Sequence, residues 1–254
     1  MSQLLWSEHV GSGAPVVLLH PLALSSRIWS TFADALSRRF EVWLVDLRGH
    51  GRSGWDGQPF TLFDMAADVS ALLDHAGRSP VSLVGMSMGG GVAMSVAALH
   101  PDRVAGLVLA DTTAWYGPDA QAAWEKRAQR ALETPRSAHR DLQAERWFTD
   151  AFRAAHADVV ERVFAEYAAT DGLAHAAACR AMGAFDARDR LAAIAARTLV
   201  LVGEEDYATP PEFARTLADA IPSSTLTVIP RARHLSLVER PDLADIVGAH
   251  LSQL

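Results

Sequence analysis

The sequence predicts a mostly parallel, twisted sheet with helices on both faces, interrupted once by an all-helical insert. Three observations carry that expectation. Short apolar runs without polar alternation, such as Val16-Val17-Leu18-Leu19, suit strands covered on both faces. Segments with apolar residues at helical spacing separate these runs, and such alternation builds a parallel sheet through right-handed crossovers. From Trp115 to Ala187 the alternation stops, and only Ala-, Arg- and Glu-rich helical segments remain.

The elements follow in order. Pro15 to His20, closing on Pro21, is the first expected strand. Ser25 or Ser26 caps a helix running through Ile28, Trp29, Phe32 and Leu36. Phe40 to Val45 is a second strand ending in the polar turn Asp46-Leu47-Arg48-Gly49-His50-Gly51-Arg52-Ser53-Gly54, which His50 and Arg52 are expected to organise. Thr61 opens a helix through Leu62, Met65, Val69 and Leu73, and Gly77 stops it. A strand starting at Val81 leads into Gly85-Met86-Ser87-Met88-Gly89 and a small-residue helix ending near His100-Pro101. Val104 to Ala110 is the next strand. After the insert come a strand over Thr198 to Val202, a helix over Pro211 to Ala220, a strand over Thr225 to Ile229 and a final helix carrying Leu243, Ile246, Val247, His250 and Leu251. The expected division is a sheet-bearing core over residues 1–114 and 188–254, with residues 115–187 as a helical cap over the sheet's C-terminal edge, where ligands of α/β folds bind.

Composition excludes several function classes. The chain has 254 residues and is 50% hydrophobic, enough for one large core. A net charge of −7 argues against a nucleic-acid binder. No apolar run approaches the roughly 18 to 20 residues that span a bilayer. Met1 to His9 lacks the basic and apolar regions of an export signal, so a cytoplasmic location is expected. The single Cys179 rules out an internal disulfide framework and reads as a small apolar filler. No H-E-x-x-H, paired-cysteine or phosphate-loop pattern is present, so the chemistry is expected to need neither metal nor cofactor.

The chemistry centres on Ser87. A strand, a glycine-flanked serine and a helix match the nucleophile elbow G-x-S-x-G, a strained turn that lifts the hydroxyl clear of the backbone. A serine nucleophile needs a base, and the base needs an orienting acid. His234 follows the last strand and is the candidate base. Asp206, in Gly203-Glu204-Glu205-Asp206, is the first choice of acid, with Glu204, Glu205 and Asp111 as rivals. All lie just beyond strand ends. The oxyanion donors expected are the N–H groups of Met88 and, because Pro21 has none, Leu22. His20 is expected to buttress that loop.

On these residues the chain resembles the α/β-hydrolase superfamily. It is most similar to the 3-oxoadipate enol-lactonase group through the turn after Asp46, the elbow, Asp111-Thr112-Thr113-Ala114, Arg146-Trp147-Phe148-Thr149, Gly203-Glu204-Glu205-Asp206 with Thr209-Pro210-Pro211, and His234-Leu235-Ser236-Leu237-Val238-Glu239-Arg240-Pro241. The resemblance implies an α/β-hydrolase fold and hydrolysis of a small ester or lactone, with an enol-lactone from aromatic-acid breakdown as the specific case. It places Arg146 against a substrate carboxylate and Trp147 against its hydrophobic body. The bland alternative for Arg146 is a surface pair with Glu145 or Asp150. Over 115–187 nine basic residues face eleven acids, so anion recognition would come from a placed arginine rather than bulk charge. Two departures stand out: His20-Pro21 replaces the group's usual Asn-Ser, and the segment before Val16 is short for a leading hairpin. Other activities compatible with the residues are a carboxylesterase or thioesterase, a C–C bond hydrolase and a cofactor-free perhydrolase. A ligand-binding receptor on the same fold is the reading from a different class.

Overall fold

A computed structural model describes residues 4–253; residues 1–3 of the segment read for an export signal lie outside it. One seven-stranded sheet contains β1 (Ser7–Gly11), β2 (Pro15–Leu19), β3 (Glu41–Val45), β4 (Val81–Met86), β5 (Val104–Ala110), β6 (Arg197–Gly203) and β7 (Ser224–Ile229), in the spatial order β1-β3-β2-β4-β5-β6-β7. All neighbours run parallel except β1, which pairs antiparallel with β3. Every residue of β4 is buried, which requires cover on both faces. Helices supply it. α1 (Ser30–Leu36) packs against the last helix, α10 (Ala244–Leu251); α2 (Leu62–Ala76) packs against α3 (Met88–Leu99), which also meets the turn over residues 188–193 beside α9 (Pro211–Ala220).

Local chemistry explains most boundaries. Thr61 and Asp64 form a reciprocal capping box at the start of α2, and Gly77 closes its end in the left-handed conformation. The helix expected from Ser25 onward is divided. Ser25 caps a 3-10 turn over Ser26–Trp29, and the α-helical hydrogen bonding begins only at Ser30. β1 is a strand that the sequence reading did not contain. Its five residues are mostly exposed and lack an alternating apolar face, so only pairing with β3 defines it.

Between β5 and β6 the chain is helical: α4 (Ala120–Glu133), α5 (Arg140–Trp147), α6 (Asp150–Ala155), α7 (Ala157–Ala169) and α8 (Gly172–Gly183). Its two ends meet. Trp115 and Asp186 form an isolated antiparallel bridge, and Ala187 N–H donates to Ala114 O at 2.9 Å. Among the described residues no helix is long and apolar enough to cross a membrane.

Candidate active site

Ser87 stands at the C-terminal end of β4 with φ 53° and ψ −117°, a conformation that disfavours any side chain. The neighbourhood holds it there. Ser87 N–H donates to Ala110 O at 2.9 Å, and Ser87 O accepts from Thr112 Oγ1 at 2.7 Å and Gly90 N–H at 2.9 Å. The flanking glycines are required by close approach. A Cβ on Gly85 would land on the Gly89 carbonyl, and one on Gly89 would land on the Leu19 carbonyl.

The structure brings the three residues singled out by sequence into one chain of hydrogen bonds. Ser87 Oγ lies 3.0 Å from His234 Nε2, and His234 Nδ1 lies 2.9 Å from Asp206 Oδ2. Asp206 also accepts from Ala208 N–H (2.8 Å), Thr209 N–H (3.0 Å) and Thr209 Oγ1 (2.8 Å). Burial alone would raise its pKa, but His234 and the Thr209 hydrogen bonds outweigh that and hold it below the ordinary carboxylate value. An ionised carboxylate only accepts. The ring proton therefore sits on Nδ1, leaving Nε2 free to accept the serine proton.

The rival acids are engaged elsewhere. Asp111 is fully buried, and its Oδ1 accepts from Gly203 N–H (3.0 Å) while Oδ2 bonds Ser236 N–H (3.0 Å) and Ser236 Oγ (2.6 Å). Burial and the charge of Asp206 push its carboxyl well above the ordinary range. It thus ties the loop bearing Asp206 to the turn bearing His234 without facing the imidazole. Glu204 accepts from Arg231 N–H, and Glu205 lies 3.6 Å from Arg233.

Leu22 and Ser87 line one cavity, and Met88 is the first residue of α3, whose leading N–H groups lack an intrahelical acceptor. His20 does buttress this loop. Its Nε2 accepts from Leu47 N–H (2.9 Å), so Nδ1 carries the proton and donates to Pro21 O (2.8 Å). A trans peptide points its C=O and N–H in opposite directions. Anchoring the Pro21 carbonyl on the ring therefore aims the Leu22 N–H away from it.

Trp147 is buried against Tyr167 in an edge-to-face contact at 5.4 Å, and both line the cavity, as does Arg146. Arg146 pairs with neither Glu145 nor Asp150; Arg153 takes Asp150 at 2.7 Å. The cavity holds about 390 Å³. Sequence reasoning missed Thr209, although Thr209-Pro210-Pro211 was in view, and gave Glu239 no role. Glu239 accepts from Thr149 N–H and Thr149 Oγ1 through one oxygen and from Arg233 N–H through the other, each at 2.7 Å. Leu235 N–H adds a bond to Trp147 O at 3.1 Å. The histidine turn is thus fastened directly to the helical segment.

The family model for the alpha/beta hydrolase fold matches residues 14–241. The chain belongs to that family. Relatives within it include 3-oxoadipate enol-lactonase 2 of Acinetobacter baylyi, 31% identical over 226 residues covering 89% of this chain and 84% of that protein. Among solved structures, the enol-lactonase from Burkholderia xenovorans LB400 superposes with a TM-score of 0.93 at 30% identity, covering 98% of this chain and 96% of that one. A thermophilic esterase from Thermogutta terrifontis, solved with malate bound, gives 0.92 at 33% identity, covering 98% and 93%. The arrangement of sheet, elbow and strand-end loops described above is that of an alpha/beta hydrolase, and the chain is a hydrolase.

Proposed function

We propose that the protein is a serine hydrolase of small esters or lactones, with Ser87, His234 and Asp206 as its catalytic triad. The observation that carries this is the continuous Ser87–His234–Asp206 hydrogen-bond chain, of which Ser87 and His234 line the cavity. Ser87 Oγ attacks the carbonyl carbon as His234 Nε2 takes its proton. Asp206 stabilises the imidazolium through Nδ1–H, and the N–H groups of Leu22 and Met88 receive the oxyanion. His234 then returns the proton to the leaving oxygen, which in a lactone stays tethered to the acyl group. Water, deprotonated by the same nitrogen, releases the acid.

The favoured substrate is an enol-lactone bearing a carboxylate, held by Arg146 with Trp147 against its carbon skeleton; the enol-lactonase relatives support this. Residues 115–187 act as the cap that selects it. A simple carboxylesterase is the second reading, supported by the likeness to the Thermogutta esterase. A fluorophosphonate probe should label the wild-type chain and fail to label Ser87→Ala. Folded wild-type protein that takes no label would refute the triad and leave the binding-receptor reading in its place. Asp206→Asn should lower kcat about 10⁴-fold, the scale set by such triads. A loss of that size from Asp111→Asn instead would reassign the acid.

A further inference from the structure

The cavity above Ser87 carries cationic groups beyond what one carboxylate requires. Arg127 and Arg130 stand about one helical turn apart on α4, Arg146 sits on α5, and all three line the cavity. Among the described residues none of the three forms an ion pair or donates a side-chain hydrogen bond. Elsewhere in the same helical segment Arg140 pairs with Glu161, Arg153 with Asp150 and Arg180 with Glu125, while Lys126, Arg136 and Arg162 form no ion pair among the described residues. Asp119, exposed at the rim, is the sole carboxylate in the lining among the described residues. Such a concentration in a chain of net charge −7 is a local arrangement, not bulk character.

Buried polar nitrogens without partners add a second observation. Arg146 Nε, His139 Nε2 and His175 Nε2 are buried and have no hydrogen-bond partner among the described residues, and all three residues line the cavity. His175 Nδ1 faces Arg136 Nη1 at 2.8 Å and can only accept from it, so the neutral ring keeps its proton on Nε2 as a donor. Each such orphan costs about 1–3 kcal/mol unless a ligand or water serves it. Gln143 Oε1 is an unpartnered acceptor in the same wall and would suit a ligand hydroxyl. Burial lowers the pKa of Arg146, and repulsion from Arg127 adds to it; burial and the neighbouring arginines likewise hold His139 low and bring His175 down to about 2. The wall is short of negative charge.

One carboxylate, gripped through both oxygens, occupies a single guanidinium. That would satisfy Arg146 and leave Arg127, stacked 4.9 Å over the Trp124 ring, with nothing opposite it. We infer that Arg127 and Arg130 add a site for a second negative charge beside the carboxylate assigned to Arg146, so that an ester or lactone whose acid portion ends in a dianionic group is preferred over one with a single carboxylate. Two carboxylates or one phosphate monoester would supply that charge. The inference rests on the serine-hydrolase reading for the acyl end of the substrate and specifies the opposite end.

The test is a charge series on the full chain: 4-nitrophenyl monoesters of butanoic acid, butanedioic acid, propane-1,2,3-tricarboxylic acid and 4-(phosphonooxy)butanoic acid. We expect kcat/KM to rise about tenfold or more from the singly to the doubly charged acid, with the last two esters showing which dianion is preferred. Arg127→Ala and the exposed Arg130→Ala should each cut the ratio of dianionic to neutral kcat/KM by about tenfold. A flat series, or variants that lower neutral and dianionic esters equally, would overturn the subsite. Should no ester turn over, the serine-hydrolase reading fails separately. Calorimetry on Ser87→Ala then decides, because the subsite requires propane-1,2,3-tricarboxylate to bind at least tenfold tighter than butanedioate, which has only one carboxylate beyond the acyl end, and equal affinities would end the proposal.

Discussion

Replacing Glu239 by alanine tests whether the fastening between the histidine turn and the helical segment matters to both stability and catalysis. Glu239 is only 6% exposed, and its two oxygens serve three donors, Thr149 N–H, Thr149 Oγ1 and Arg233 N–H, each at 2.7 Å. Hydrogen bonds to a charged group contribute about 1.5–3 kcal/mol each, and a buried donor left bare costs about 1–3 kcal/mol. Thr149 Oγ1 can turn to another partner, so the two backbone N–H groups dominate and the loss should be about 4 kcal/mol. For a chain of this size that corresponds to a Tm lower by roughly 8–16 °C. His234 adjoins Arg233, so the loosened turn should also lower kcat for a 4-nitrophenyl ester while KM changes little. Thermal unfolding by circular dichroism and steady-state kinetics on the same preparation measure both. A loss below about 1 kcal/mol, or an unchanged kcat in the destabilised variant, would refute the reasoning.

Two further outcomes follow from packing and protonation. Gly89→Ala places a methyl group on the Leu19 carbonyl, so the elbow cannot close as built; soluble yield and fluorophosphonate labelling should both collapse, and an active, stable Gly89→Ala would contradict the geometry. His50 and His175 are buried neutral, with burial as the leading cause of pKa values brought from 6.5 down to about 3 and about 2. Depressed folded values mean that no stability is lost above pH 6.5, whereas below it the unfolded chain binds protons that the folded chain refuses. Urea unfolding should therefore show stability falling between pH 6 and pH 4, by up to about 1.4 kcal/mol per pH unit for each ring. A His50→Gln variant with the wild-type slope would remove that ring from the account.

The parts of this molecule that were legible in sequence are local. Thr61, Asp64 and Gly77 bracket α2 through contacts within one turn of chain, and Gly85, Ser87 and Gly89 specify the elbow by steric need alone. The order serine, acid, histidine at successive strand ends was readable because strand ends are readable. What was hidden depends on distant partners. Asp111 reaches Gly203 and Ser236 across 92 and 125 residues, and Glu239 reaches Thr149 across 90. No periodicity records such pairings. Arg127 and Arg130 enter the sequence reading only within the count of nine basic residues over 115–187, and such a count averages away which residues of α4 line the cavity.

The meeting of Ala114 with Ala187, and of Trp115 with Asp186, means that the helical segment leaves and re-enters the sheet at one point. The core therefore sees that segment as a closed loop. Lengthening such a loop costs only about 0.6 kcal/mol per doubling. Recombination can exchange the whole segment at this junction while β5 and β6 keep their register. The fastening through Glu239 and Thr149 adds a condition on the exchange. An incoming segment inherits the nucleophile and the sheet without change, but it must bring its own strap for the histidine turn.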